Sequence, residues 1–270
     1  SSDFSEYVAF LASDQPVHGL TTDRREFLGV PGDRSNPEGL KRIGLSGQVQ
    51  SGIDPCAVLQ SHLNFEPGEE KRITFILGQE ESRERAVQLV RDYKTPEIIE
   101  DRLNKTKEKW DKLLNTLQVD TPDPELDVIL NRWLLYQALS CRIWGRSAFY
   151  QSSGAYGFRD QLQDVTSILL TNPQEAREHI LRSAEHQFEA GDVLHWWHPP
   201  SGRGVRTRIT DDLLWLVYVT AEYITKTGDA DILKEEIPFK IGEPLKEDEE
   251  ERYGQYETSE DNYSLFEHCR

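Results

Sequence analysis

Two glycine-punctuated stretches concentrate the residues that could do chemistry. The first, GRSAFYQSSGAYGFRDQLQD, runs from Gly145 to Asp164 and flanks Ala155-Tyr156 with glycines before Phe158-Arg159-Asp160 opens a helix-like segment. Those glycines allow the backbone to approach a ligand closely, and Arg159 with Asp160 forms an ion-pairable couple beside them. An aspartate at a helix start can also be a plain N-cap, so residue type leaves both roles open. The second stretch, GDVLHWWHPPSGRGVRTRITDD, runs from Gly191 to Asp212. His195 and His198 could be aimed at one metal, but no third ligand is spaced to help, and no metal is expected. Trp196 and Trp197, between glycine and proline, suit stacking on the apolar face of a sugar ring and equally suit a packed loop anchor. Arg203, Arg206 and Arg208 make a dense basic cluster that could hold a phosphate or carboxylate in bidentate fashion. The same arginines could instead pair with Asp192, Asp211 or Asp212. Nothing resembles a Walker loop, a dinucleotide fingerprint or a Ser-His-Asp order.

The elements that must position these residues divide the chain by period. Residues 1–85 read as sheet: Tyr7–Leu11, Cys56–Phe65 and Lys71–Leu77 are β-rich runs, and the Pro67-Gly68 turn between the last two predicts a hairpin. Residues 12–55 are rich in Gly, Pro and Asp and read as long loops, and the whole region reads as structural sheet without chemistry. From Ser82 the period becomes helical. Thr95-Pro96-Glu97 starts a helix over 97–117, and Asp123-Pro124-Glu125 starts a second towards Cys141. Further helices are predicted over Phe158–Leu170, from Asn172-Pro173 through Phe188, and from Thr210-Asp211-Asp212 through Thr227, ending at Gly228. Trp215, Tyr218 and Tyr223 read as a core stripe. Ser264-Leu265-Phe266-Glu267 has the pattern of a capping box, so a sixth helix begins near Arg270 and the chain is expected to continue. The acidic run from Lys246 to Arg252 reads as a solvated loop. The picture is of helical hairpins whose long loops carry the unusual residues on one face.

Composition narrows the function. With 31 Lys plus Arg against 48 Asp plus Glu, the net charge is −17, which argues against nucleic acid or an anionic membrane as partner. Three scattered cysteines, Cys56, Cys141 and Cys269, fit a reducing, cytoplasmic compartment and exclude a disulfide scaffold. No apolar run is long enough to span a bilayer. The chain has no methionine and does not begin with one, so motif spacings are read as lower bounds. The residues alone lead to a scaffold with a polar, aromatic face suited to a sugar and an anion.

At these residues the chain resembles a known family. RSAFYQSSGAYGFRDQLQD, GDVLHWWHPPSGRGVRTRITDDLLWL, TGDADILKEEIPF and SLFEHC, in that order, resemble the inverting glycoside phosphorylases of glycoside hydrolase family 94, formerly glycosyltransferase family 36. The pattern is most similar to the branch of cyclic β-1,2-glucan synthetase C-terminal domains and cellobionic acid phosphorylases. SGIDPCAVLQ and the stretch from PGEE to FILGQ are similar to the end of the family's β-sandwich, and residues 97–117 to its linker. The resemblance implies an α+β chain. Residues 1–85 would be the end of a β-sandwich (supersandwich), 86–122 linker helices, and 123–270 the first part of an (α/α)6 six-hairpin barrel. It implies that phosphate attacks the anomeric carbon of a terminal β-glucoside with inversion and releases α-glucose 1-phosphate. No cofactor is implied beyond inorganic phosphate as co-substrate. The partners would be a β-glucan oligosaccharide or disaccharide, in a protein that is cytoplasmic and, in many members, dimeric.

Carried over residue by residue, Asp160 matches the GFRD aspartate that binds hydroxyls of the glucosyl unit. Arg146 matches an arginine at the phosphate and sugar end, and Arg159 a position expected to orient Asp160. Asp211 and Asp212 match a pair expected to cap a helix. Gly154-Ala155 stands where some cellobiose phosphorylases carry a further arginine, which disfavours cellobiose. The general acid is expected in a D-W-N-D type motif downstream of Arg270, so no catalytic residue is expected within these residues, and this stretch alone is expected to be inactive. The competing readings are a hydrolase on the same barrel and a non-catalytic carbohydrate-binding module.

Overall fold

The computed structural model describes residues 5, 7–50, 52–146, 154–199 and 201–270. It falls into two compact units, residues 1–107 and 108–270.

In the first unit, strands β1 (Val8–Ser13), β2 (Gly19–Asp23), β3 (Pro55–Gln60) and β4 (Phe75–Glu80) form two antiparallel pairs, β1 with β4 and β2 with β3. The Pro67-Gly68 turn exists, with Gly68 at φ 80° and a 3.0 Å bond from Glu69 N–H to Glu66 O. The strands flanking it do not pair with each other, which corrects the expected hairpin. Residues 61–74 separate them, too many for a tight connection, and each strand finds an earlier strand instead. The expected long loop over 12–55 likewise contains β2 and a short helix α1 (Arg24–Leu28), whose Asp23 N-cap accepts from Arg25 N–H at 2.8 Å. Helix α2 (Arg83–Asp92) is capped by Ser82. Helix α3 (Pro96–Leu114), with proline in its first turn, contains the division between the units.

The second unit begins with the end of α3 and a helical run over residues 124–144. It comprises α4 (Pro124–Val128), a π segment Ile129–Trp133, α5 (Leu134–Gln137) and a second π segment Ala138–Trp144. Asp123 caps it through Glu125 and Leu126 N–H. The widened turns end with Gly145 N–H bonded to Ser140 O, five residues back. The following segment, 147–153, lies outside the described residues and contains the SAFYQSS part of the first motif.

Strand β5 (Tyr156–Gly157) leads into α6 (Phe158–Val165), then come α7 (Pro173–Ala184), β6 (Leu194–His198), β7 (Arg203–Thr207) and α8 (Asp212–Thr227). Strands β8 (Glu236–Ile241), β9 (Glu251–Gly254) and β10 (Glu257–Ser264) and helix α9 (Leu265–His268) complete the unit. One sheet runs β5-β6-β7-β9, antiparallel throughout, and β8 pairs with β10. The HWWHPP and GRGVRTR stretches expected as loops are therefore largely strands, and the acidic run expected as a solvated loop enters β9. Trp196, Trp197, Val205 and Thr207 have the β-branched and aromatic side chains a sheet surface accepts; the neighbouring glycines and prolines masked that preference.

Helix α6 buries Phe158, Gln161, Leu162 and Val165, the i, i+3, i+4, i+7 face of an amphipathic helix. That face joins one core with Leu139, Ile180, Trp197, Leu216 and Leu265. Leu162 is wholly buried there, so truncation to alanine costs about 2–5 kcal/mol. Helix α8 ends as expected, with Gly228 at φ 75° and its N–H on Ile224 O at 2.8 Å. Ser264 and Glu267 form the expected capping box. Three smaller expectations fail. Asn172 makes no side-chain cap, α7 stops at Ala184, and Tyr218 of the aromatic stripe is exposed while Tyr223 is buried.

Candidate functional site

The β5–β6 pairing sets Gly157 opposite Trp196 and Tyr156 opposite Trp197. Asp160, in the first turn of α6, folds its carboxylate back over Gly157, where any added Cβ would collide with it. Glycine there is what makes room for the carboxylate. Asp160 is exposed and makes no hydrogen bond or ion pair with another described residue. Arg159 is paired with Asp211 at 2.7 Å and lies over the Trp215 ring at 5.6 Å. Its contacts thus run to α8 rather than to Asp160, and Asp211 makes no side-chain cap on that helix.

Asp212 is 0 % exposed, and its Oδ2 lies 2.7 Å from Nδ1 of His195. Its role is therefore to hold β6, not to cap α8. The Asp212 hydrogen bond pushes the His195 pKa up, against burial, with Asp160 and Asp211 adding to the same direction. Asp212 Oδ1 is buried without a hydrogen-bond partner.

Arg146 adopts a positive φ of 42° and is 2 % exposed. Its Nη1 donates to Arg142 O at 2.9 Å and to Asp164 Oδ2 at 3.1 Å, and its guanidinium lies 5.4 Å from the Tyr156 ring centre. Arg142 reaches the same Asp164 oxygen, at 3.1 Å from Nε. Arg146 Nη2 is buried and unpartnered. Beneath it His179 Nδ1 donates to Gln161 Oε1 at 3.1 Å, and burial holds the His179 pKa down to about 4.

The remaining candidates separate. Trp197 is 2 % exposed and stacks on His186 at 3.7 Å between ring centres, so it is the packed anchor of the two alternatives and not a stacking platform. Trp196 is half-buried, tilted against Tyr253 at 5.6 Å, and keeps an open part. Arg206 is buried and paired with both oxygens of Asp192 at 2.5 and 2.6 Å, with Nη1 on the carbonyls of Gly242 and Glu243. Arg208 donates to the carbonyls of Leu245, Lys246 and Glu249. Neither is left over for an anion. Arg203, exposed at the start of β7, is apart from both. The cluster that spacing suggested is thus divided among separate partners. Among the described residues no group of three or more His, Cys, Asp or Glu side chains could hold a metal, and no helix is long and apolar enough to cross a membrane.

Sequence reasoning missed Asp164 as the carboxylate shared by Arg142 and Arg146, and Asp212 as the partner of His195. The first had at most a weak local signal, two arginines four positions apart, and Arg146 lies beyond the helical run at a positive φ. The second had none, because seventeen positions separate the partners.

A mixed sheet-and-helix chain that gathers aspartates, an imidazole and an open tryptophan at a strand–helix junction has the side chains of a carbohydrate site. Residues 109–248 match the glycosyl hydrolase 94 superfamily catalytic domain, and residues 1–96 match the glycosyl hydrolase 94 supersandwich domain. The chain belongs to glycosyl hydrolase family 94. It is 40 % identical over 270 residues to the cyclic β-(1,2)-glucan synthase NdvB of Rhizobium meliloti (strain 1021), matching all of this chain and 10 % of that protein. It is 28 % identical to the N,N'-diacetylchitobiose phosphorylase of Vibrio proteolyticus, over 90 % of this chain and 34 % of the relative. To the cellobionic acid phosphorylase of Neurospora crassa it is 24 % identical, over 87 % of this chain and 30 % of the relative. The chain thus spans between a tenth and a third of the length of these relatives.

Proposed function

We propose that this chain supplies the glucosyl-binding part of an inverting β-glucan phosphorylase or glucan-synthesising protein. The observation that carries the reading is an exposed Asp160 carboxylate that no described residue bonds, beside the His195–Asp212 pair, within a match to the family's catalytic domain. A carboxylate seated on glycine accepts hydrogen bonds from sugar hydroxyls without a side chain in the way. In the reaction, a phosphate oxygen forms a bond to the anomeric carbon as the glycosidic C–O bond breaks, and the leaving oxygen takes a proton from a general acid outside this chain. Direct attack by phosphate requires one acid and a cationic site instead of a second carboxylate. Arg146, whose Nη2 is unpartnered, is the candidate for the anion, and Trp196 for the sugar face. Arg203 is a weaker candidate, and Arg206, Arg208 and Trp197 are assigned to structure.

In this reading residues 1–85 are the end of the sandwich, 86–122 the linker, and 123–270 the first part of an (α/α)6 barrel in a cytoplasmic protein, with the oligomeric state open. The substrate class is a β-1,2-glucan or cellobionic acid. The test is phosphate release by the full-length protein given α-glucose 1-phosphate with glucose, sophorose, gluconate or no acceptor. Release that needs an acceptor is expected, and the preferred acceptor names the linkage. Absence of release with all of them overturns the reading.

A further inference from the structure

The β5–β6 pairing brings a second polar group to the edge where Asp160 lies. The Asp160 carboxylate sits over Gly157, Gly157 pairs with Trp196, and the residue before Trp196 on β6 is His195. From α8, Asp212 clamps the imidazole through Nδ1 at 2.7 Å. A fully buried carboxylate with one oxygen unsatisfied, as Asp212 is, is costly unless a positive partner compensates it. A positive charge on the ring at position 195 would compensate it, and the Asp212 bond favours that charged form. Fixing Nδ1 also fixes which ring nitrogen remains: Nε2 makes no hydrogen bond to a described residue, and 35 % of the side chain stays accessible.

The charged neighbours are few. Arg159 and Asp211 pair at 2.7 Å, and Asp160, which no described residue bonds, is a further carboxylate acting on the ring. A hydrogen-bond donor next to an acceptor is the arrangement that neighbouring sugar hydroxyls satisfy, since each hydroxyl both donates and accepts.

We propose that His195 is a substrate-binding residue, its Nε2–H donating to a hydroxyl of the same sugar ring whose neighbouring hydroxyl donates to Asp160, with Asp212 as its positioning residue. The proposal rests on the sugar-binding reading of Asp160.

The test uses two amide substitutions in the full-length protein. The amide of His195→Asn reaches the Nδ1 position and can keep the Asp212 bond while losing the outer donor. The amide of His195→Gln reaches the Nε2 position instead. His195→Asn is expected to leave the thermal midpoint in place while raising KM for the glucosyl donor about tenfold, the loss of one charge-assisted hydrogen bond; kcat should change less, and His195→Gln should recover part of the loss. An unchanged KM in His195→Asn overturns the proposal. In parallel, glucose and α-glucose 1-phosphate are titrated into protein carrying nitrogen-15 histidine, with the His195 Nε2 signal assigned by its absence in His195→Asn. Movement of that signal supports the sugar contact even in a protein that releases no phosphate, so the phosphorylase reading can fall without it. A signal that ignores both sugars overturns the contact even where turnover is normal.

Discussion

The β6–β7 hairpin presents two carboxylate–cation pairs that look alike in sequence and differ in what they leave undone. On β7, Arg206 is 1 % exposed and every nitrogen is engaged: Nε and Nη2 on Asp192, Nη1 on two carbonyls, and the flat face 3.8 Å from the Phe188 ring centre. On β6, the buried partner is the acid. Asp212 holds His195 by one oxygen and leaves the other unpartnered, while the imidazole stays partly open beside Asp160, which no described residue bonds. A saturated network rigidifies, whereas unsatisfied polar groups at a surface remain available for a ligand. The first pair is a clamp, and the second has the properties of a site.

The sharpest test of the clamp removes its acid. Asp192→Ala strands a buried guanidinium with only two carbonyls, and the expected loss is about 3–5 kcal/mol of stability, read as a large fall in the thermal midpoint. A midpoint within the range of surface substitutions would erase the contrast between the pairs. At the open end the expectation is reversed. Asp160→Ala removes an exposed group that no described residue bonds, so the midpoint should hold while phosphorolysis falls about 100-fold or more in kcat/KM, about 3 kcal/mol. Near-normal turnover in that variant would sink the site.

Acid separates the regions in another way. Burial holds the pKa of His186, stacked on Trp197, down to about 4, and the same holds for His179. Their folded pKa lies below the unfolded value, so the unfolded chain takes up more protons as pH falls from about 6.5 towards 4 and stability is lost over that window. His195 is shifted up; its contribution is present below the unfolded value and fades as pH rises through the folded one. Replacing His186 with Phe should flatten the acid limb by up to about 3 kcal/mol, measured by urea unfolding at stepped pH. An acid limb unchanged in that variant would mean that His186 is not held neutral.

How far the site was readable follows the range of each contact. Helix starts at Pro96, Asp123 and Ser264 and the stop at Gly228 rest on local signals, and the structure has them. Gly157 and Asp160 were singled out together because a glycine before a helix start is also local. The pairing of β1 with β4, the strand character of HWWHPP, and the division of the arginines between Asp192 and loop carbonyls depend on partners beyond the reach of a local pattern. Trp196 and Trp197 illustrate the limit: adjacency made them look equivalent, and the pleat then sent Trp197 into the core and left Trp196 partly open.

Arg159 decides where the open region ends, and its effect should be the smallest. The Arg159–Asp211 pair is about half exposed on both sides, so Arg159→Gln should change stability by less than about 1 kcal/mol. Its influence on the neighbouring imidazole is more informative. Asp211 already acts to raise the His195 pKa, and Arg159 offsets that negative charge from 2.7 Å. Removing the guanidinium leaves Asp211 uncompensated and should move the His195 titration midpoint further up, followed by its ring signals in an NMR pH series. The rise should shrink with added salt, because both charges face water. A midpoint that stays still, or falls, would place Arg159 and Asp211 outside the electrostatic environment of His195 and confine the site to Asp160, His195 and Asp212.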